Sequence, residues 1–237
     1  MDERTRHHTF LHVQRLRHSQ DYLEFESVVS DSNIEIAAEL LAVGSFSYYQ
    51  DKPFELDSGV LSPFYIDNRL ILSNLHSRHK IVEHLTEELK EIGLPDVIAG
   101  IATGGIPYAA ILAEKLDLPM IYVRPQPKTH GMQNQIEGQI KREQKVVVIE
   151  DQISTAGSSI RVIEVLRNQG AVVNDEIAII TRGTKMSKEN LKKAEIKLHS
   201  LTDLDSLIKV AQQTGHLNKN QVMVIEEWLK DPENWGK

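Results

Sequence analysis

The sequence predicts an α/β fold in which a parallel sheet is flanked by helices on both faces. Three observations carry the expectation. From residue 96 to residue 182, short runs of branched apolar residues alternate with amphipathic helical patterns, the signature of βαβ units. Two of those strands lead through small residues straight into a helix, at Ala102–Gly105 and at Ser154–Gly157. The 237 residues are 41% hydrophobic and 26% charged, an ordinary balance for a globular domain, and no repeat or low-complexity linker divides them.

Composition narrows the function. A formal net charge of −7 argues against general nucleic-acid binding, which needs a basic face to neutralise phosphates. The absence of cysteine removes disulfides, thiolate metal sites and cysteine nucleophiles together. No apolar run approaches the ~20 residues that span a bilayer, and the N-terminus lacks the basic start and apolar core of a signal peptide. The expectation is a cytoplasmic enzyme with neither a nucleic-acid nor a membrane partner.

Taken in order, residues 1–30 differ from the rest of the chain. His7, His8, His12 and His18 share the first 18 positions with Arg4, Arg6, Arg15 and Arg17, and apolar residues are sparse. A basic arm for an anionic partner and a metal site are both open readings; the composition favours an extension outside the fold. From Asn33, the apolar residues Ile34, Ala37, Ala38 and Leu41 recur at helical spacing until Gly44. Ser45–Tyr49 reads as extended, and Phe54–Arg69, with Ser-Gly and Ser-Pro turn signals, as a small β-hairpin. Residues 75–92 form an amphipathic helix with Ile81, Val82, Leu85, Leu89 and Ile92 on one face. Its His76, His79 and His84 read as solvated side chains rather than ligands.

Asp96–Ile101 is the first strong core strand. Ala102-Thr103-Gly104-Gly105 comes next and opens a helix with Pro107 in its first turn, offering a nest of backbone N–H groups for an anion. After the strand Pro119–Val123 comes Arg124, then a polar, glycine-punctuated stretch over 125–138 with no periodicity, which reads as a loop. Arg124, Lys128 and His130 concentrate positive charge at its start, unusual in an acidic chain.

The densest signal is Val146–Ser159. Four apolar residues make a buried strand, Glu150 and Asp151 stand at its end, and the turn Ser154-Thr155-Ala156-Gly157 opens a helix from about Ser158 to Gln169. Free N–H groups of the turn and first helical turn, with the helix dipole behind them, favour a phosphate. Small residues let the backbone come close. Carboxylates would repel that phosphate, so Glu150 and Asp151 should face sugar hydroxyls or a hydrated magnesium ion. Phosphate, sugar and magnesium together suggest a ribose 5-phosphate; the plain alternative is a buried strand ending in a solvated turn. After the strand Glu176–Thr181, Arg182 stands at the C-terminal edge of the sheet, where ligands bind in open α/β folds and a carboxylate is the natural bidentate partner; a surface arginine is the alternative. The tail supplies a helix at 187–194, a strand at 195–201, and helices near 203–214 and 219–229, with Trp228 and Trp235 packing them.

Three of these stretches resemble a known family. Glu150-Asp151-Gln152-Ile153-Ser154-Thr155-Ala156-Gly157-Ser158 is similar to the 5-phosphoribosyl 1-diphosphate motif of type I phosphoribosyltransferases. Leu56-Asp57-Ser58-Gly59, continued by Ser62-Pro63-Phe64-Tyr65-Ile66-Asp67, resembles the N-terminal signature of orotate phosphoribosyltransferases. Arg124, Lys128-Thr129-His130-Gly131 and Asn134-Gln135-Ile136-Glu137-Gly138 together resemble that family's catalytic loop. Four positions depart from the patterns: Asp57 and Gly104 where some members carry a lysine, Pro125 for a lysine after the leading arginine, and Ala156 for the first of two glycines.

The resemblance implies a type I phosphoribosyltransferase fold, with residues 31–237 as one domain: a core over about 75–201, and a hood from about 31–70 plus the C-terminal helices. It implies transfer of the phosphoribosyl group to orotate, giving orotidine 5′-phosphate and diphosphate for pyrimidine biosynthesis, by a magnesium-dependent homodimer with a shared active site. Arg124, Lys128 and His130 would be catalytic. Thr103, Gly104, Glu150, Asp151, Ser154, Thr155, Ala156, Gly157 and Ser158 would bind the diphosphate sugar, and Ser58, Tyr65, Ile66, Ser154 and Arg182 the orotate. Magnesium would be held mainly through substrate and water, with Asp151 as its candidate side chain. Two alternatives stay open: a phosphoribosyltransferase for another nucleobase, and a non-catalytic regulator that senses the diphosphate sugar.

Overall fold

Branched apolar runs too short for helices build the centre of the sheet, and amphipathic segments cover it. A computed structural model describes residues 32–49, 52–56, 59–126, 135–232 and 234–236. They fall into two compact units: Arg78–Leu204, and the residues up to Ser77 with those from Asp205 onward.

The Arg78–Leu204 unit is a six-stranded sheet. In chain order its strands are β5 (Val97–Ile101), β6 (Met120–Val123), β7 (Ile136–Glu137), β8 (Lys145–Ile153), β9 (Val172–Thr181) and β10 (Lys197–Asp203), and their spatial order is β10-β9-β8-β5-β6-β7. Every pairing is parallel except β6 with β7. Helix α2 (Leu75–Ile92, in this unit from Arg78) precedes the first of these strands, and α3 (Gly105–Leu116), α4 (Gly157–Asn168) and α5 (Lys185–Lys193) are the intervening helices. The expected α/β fold with a mostly parallel, helix-flanked sheet is borne out.

All five residues of β5 are buried, as a strand covered on both faces requires. Glycines let α3 settle onto the sheet: a Cβ on Gly100 would lie 2.9 Å from Ile106 Cα, and one on Gly105 would overlap the Ile149 carbonyl oxygen. On the other face Val146, Val148, Val162, Ile163 and Leu166 form the core between β8 and α4. At the margin, His199 of β10 is nearly buried and joins three elements. Its Nδ1 lies 2.6 Å from Glu88 Oε1 of α2, and its Nε2 lies 2.9 Å from Asp175 Oδ1 of β9.

Two elements differ from the sequence reading. The strand expected to stop before the acids continues to Ile153, so Glu150, Asp151 and Gln152 lie within β8; Gln152 stands opposite Ile180 of β9. The stretch 125–138, read as loop throughout, contains β7, whose two residues pair with Tyr122 and Val123. A two-residue strand is too short for periodicity to register.

In the other unit, α1 (Ser32–Ala42) precedes β1 (Phe46–Tyr48), β2 (Phe54–Glu55), β3 (Leu61–Ser62), β4 (Phe64–Ile66) and a 3₁₀ turn at Asn68–Ser73. The expected single hairpin is in fact two pairings: β2 with β3, and β4 back to β1 with Phe46 opposite Ile66. Ser62 separates β3 from β4 by accepting from Phe64 N–H and donating to Phe64 C=O, closing a tight turn. Helices α6 (Leu204–Gln213, in this unit from Asp205) and α7 (Lys219–Lys230) complete it, the latter opened by an Asn218–Gln221 capping box. Trp228 is buried; its Nε1–H donates to Leu61 C=O at 2.7 Å and its ring meets Phe64 edge-on at 5.1 Å. Trp235 is half-buried.

Candidate active site

Two strand-to-helix turns of the Arg78–Leu204 unit converge. The first leaves β5 through Ala102 and Thr103, joined by a cis peptide bond, to Gly104 and α3. The second leaves β8 through Ser154 and Thr155 to Ala156 and α4. Asp151 links them. A Cβ on Gly104 would lie 2.7 Å from Asp151 Oδ2 and closer still to Cγ and Oδ1, so the carboxyl rests directly on the bare Gly104 backbone.

Successive strand residues face opposite sides of a sheet, and the two acids obey that rule. Asp151 faces α3, where Tyr108 is buried; burial first, and then the Asp151 charge, raise the Tyr108 phenol above its usual range, with Arg78 acting the other way. Glu150 is buried, and its Oε1 accepts from Asp151 N–H at 2.9 Å. Burial raises the Glu150 carboxyl well above the ordinary carboxylate range, and the charge of Asp151 and a side-chain hydrogen bond with it add to the shift. Glu176 of β9 also raises it. Glu176 itself is fully buried opposite Val148, and burial pushes its carboxyl up to about 7, with the Ser159 hydroxyl pulling the other way. Neither Glu176 nor Tyr108 stands out in the sequence, because neither belongs to a motif.

The second turn has the form of an anion nest. Ala156 takes the left-handed conformation at φ 64° and caps α4, so the chain reverses sharply before Gly157, Ser158 and Ser159 start the helix. Thr155 is exposed, and its Oγ1 accepts from Gly157 N–H at 3.4 Å. Ser158 Oγ accepts from Arg161 Nη2 at 3.2 Å. The loop is held from outside: Thr184 Oγ1 donates to Ser154 C=O at 3.1 Å and Asn190 Nδ2 to Thr155 C=O at 3.0 Å.

Arg182, at the end of β9, is only 7% exposed rather than a surface side chain. Gln152 Oε1 accepts from its Nε at 2.9 Å and from its Nη2 at 3.0 Å when the amide is oriented to satisfy both groups. Sequence reading does not find Gln152; its spacing from Arg182 carries no signal until strand register is known.

Arg124 follows β6 and is partly exposed, with Nη2 3.7 Å from Glu137 Oε1 and the guanidinium 6.0 Å from the Tyr122 ring. Its N–H donates to Gln135 C=O at 2.9 Å, and Gln135 Nε2 donates to its C=O at 3.0 Å. The chain thus returns beside its point of departure. Lys128 and His130 lie outside the described residues, as do Asp57, Ser58 and residues 1–31. Tyr65 and Ile66 belong to the other unit: Tyr65 is half-buried with its ring 4.2 Å from Phe54, and Ile66 is buried.

Known proteins match this arrangement. The phosphoribosyl transferase domain model matches residues 71–219. The chain is 44% identical over 204 residues to an orotate phosphoribosyltransferase of Cytophaga hutchinsonii, covering 86% of this chain and 98% of the relative. It is 45% identical, with the same coverage, to one from Listeria monocytogenes. The crystal structure of an orotate phosphoribosyltransferase from Aeropyrum pernix superposes with a TM-score of 0.67 at 32% identity, covering 77% of this chain and 99% of that one. Motif, fold and kinship over nearly the whole length of these relatives agree: the chain belongs to the orotate phosphoribosyltransferase family.

Proposed function

We propose that the chain transfers the 5-phosphoribosyl group from 5-phosphoribosyl 1-diphosphate to the ring nitrogen of orotate, releasing diphosphate, as a step of pyrimidine biosynthesis. The observation that carries this reading is the contact of Asp151 with Gly104, which brings a phosphate-type turn, a pair of acids and a second backbone nest together.

The sugar carbon must lose diphosphate and accept the orotate nitrogen, so its transition state is positive on the sugar and negative on the leaving group. The chain supplies no nucleophile; it positions and clamps. The nest at Ser154, Thr155, Ala156, Gly157 and Ser158 holds the 5-phosphate through backbone N–H groups and hydroxyls. The two acids at the end of β8 serve the ribose hydroxyls from opposite sides of the strand, Asp151 as a hydrogen-bond acceptor and Glu150, its carboxyl raised by burial, as a donor. Thr103 and Gly104 offer backbone to the diphosphate, and Arg124, Lys128 and His130 balance its growing charge. Arg182, aided by Ser154, holds the orotate carboxylate, and Ser58, Tyr65 and Ile66 are the residues that the family resemblance assigns to its ring.

Magnesium fits this donor set. It keeps several waters and binds through one or two carboxylates plus substrate phosphates, and among the described residues no group of three or more acids or histidines is gathered for a metal. Asp151 would hold it through water; when bound, it neutralises diphosphate charge. The functional form in this reading is a cytoplasmic homodimer with a shared site. Among the described residues no helix is long and apolar enough to cross a membrane.

Offering orotate, uracil, adenine and hypoxanthine in turn, with the diphosphate sugar and magnesium, tests the reading. Diphosphate release with orotate alone is expected; release with a purine or with uracil instead would replace it by another nucleobase enzyme.

A further inference from the structure

A buried arginine can recognise a carboxylate only if its guanidinium plane is held, because the side chain ends in rotatable torsions while the fork at its tip is rigid. Arg182 is buried at the C-terminal edge of β9, and Gln152 of the neighbouring strand meets its guanidinium. Gln152 Oε1 takes Nε–H at 2.9 Å and Nη2–H at 3.0 Å on one side of the fork. The pairing comes from the sheet: Gln152 stands opposite Ile180, and Arg182, two residues further along, donates its N–H to Ile153 C=O at 2.8 Å, so the Arg182 side chain starts one strand repeat beyond Gln152 and its guanidinium meets the amide.

The residue type matters as much as the distance. A carboxylate at position 152 would hold the fork but cancel its charge. An apolar side chain would leave the charge intact but the plane unheld. An amide oxygen holds the plane without cancelling the charge. We propose that Gln152 is the positioning residue for the substrate's carboxylate, acting through Arg182 by fixing the orientation of its guanidinium. The inference rests on the reading of Arg182 as the orotate contact.

Steady-state kinetics of the full chain, with orotate and the diphosphate sugar varied separately, test it on Gln152→Leu and Gln152→Glu. The expected result for Gln152→Leu is a rise of about tenfold or more in KM for orotate, with KM for the diphosphate sugar within about twofold of wild type. Gln152→Glu holds the fork but cancels the charge and is expected to raise the orotate KM at least as far; Gln152→Met, close in shape but with no acceptor for the fork, carries the test if the leucine variant does not fold. An orotate KM unchanged in Gln152→Glu, or a rise in both KM values together, overturns the inference. A wild-type chain that consumes no orotate removes the reading of the substrate, and the inference with it, which is a separate result from active wild type with unaffected variants.

Discussion

Gly104 and Asp151 lie so close that a methyl group on the glycine would sit 2.7 Å from Asp151 Oδ2 and nearer still to the carboxyl carbon. Gly104 has φ −66° and ψ −33°, a conformation open to any residue, so what the position demands is space rather than glycine's backbone freedom. Gly104→Ala is therefore expected to displace Asp151 while costing only about 1–3 kcal/mol of stability. Kinetics with the diphosphate sugar varied should show kcat/KM reduced about tenfold or more. Unchanged kinetics would separate Asp151 from the sugar site.

Ala156 makes the opposite demand. At φ 64° it needs left-handed backbone, and it is buried. Left-handed conformation costs about 1–2 kcal/mol for an L-residue, and a buried methyl returns about 0.8 kcal/mol. Ala156→Gly is therefore expected to change stability by only about 1 kcal/mol or less, which explains why alanine is tolerated in this turn. Ala156→Val, branched at a positive φ, is expected to lose about 2 kcal/mol or more. Urea denaturation of the two variants beside wild type checks both numbers.

Glu176 gives a pH dependence with a definite sign. Its carboxyl titrates near 7 in the folded chain, above the ordinary value of 4.5. Between those two values the unfolded chain releases a proton that the folded chain keeps, so the stability contributed by Glu176 is full below about 4.5 and is lost as pH rises through 7. Glu176→Gln is expected to be more stable than wild type by about 1–3 kcal/mol at pH 8, and the gap should close towards pH 4.5. Equal stabilities across that range would place the titration elsewhere.

How much of this is legible in the sequence depends on how local each signal is. Helix α2 matches the reading at Leu75–Ile92, because its apolar face repeats from Ile81 to Ile92, over about three turns. The turn at Ser154–Gly157 is legible because its small residues stand directly between an apolar strand and an amphipathic helix. The true length of β8 is hidden because Glu150, Asp151 and Gln152 interrupt an apolar run while the backbone remains a strand. The contacts of Asp151 with Gly104 and of Gln152 with Arg182 are illegible for a stronger reason. Each joins residues whose proximity depends on the register of adjacent strands, or on how closely a helix packs. The return of β4 to β1, rather than into the expected hairpin, is the same kind of non-local choice.

Lys128 distinguishes an enzyme from a sensor of the diphosphate sugar. If it balances leaving-group charge, Lys128→Ala should lower kcat by about 10²–10³-fold while isothermal titration still shows the diphosphate sugar binding. Loss of binding with no separate effect on turnover would make Lys128 a ground-state contact only.

The most direct measurement is the ultraviolet absorbance of orotate in the presence of the full chain, magnesium and 5-phosphoribosyl 1-diphosphate. Loss of the orotate band that requires all three components is the predicted result. A folded chain that binds the diphosphate sugar but leaves the band unchanged would contradict phosphoribosyl transfer to orotate and make the site a sensor.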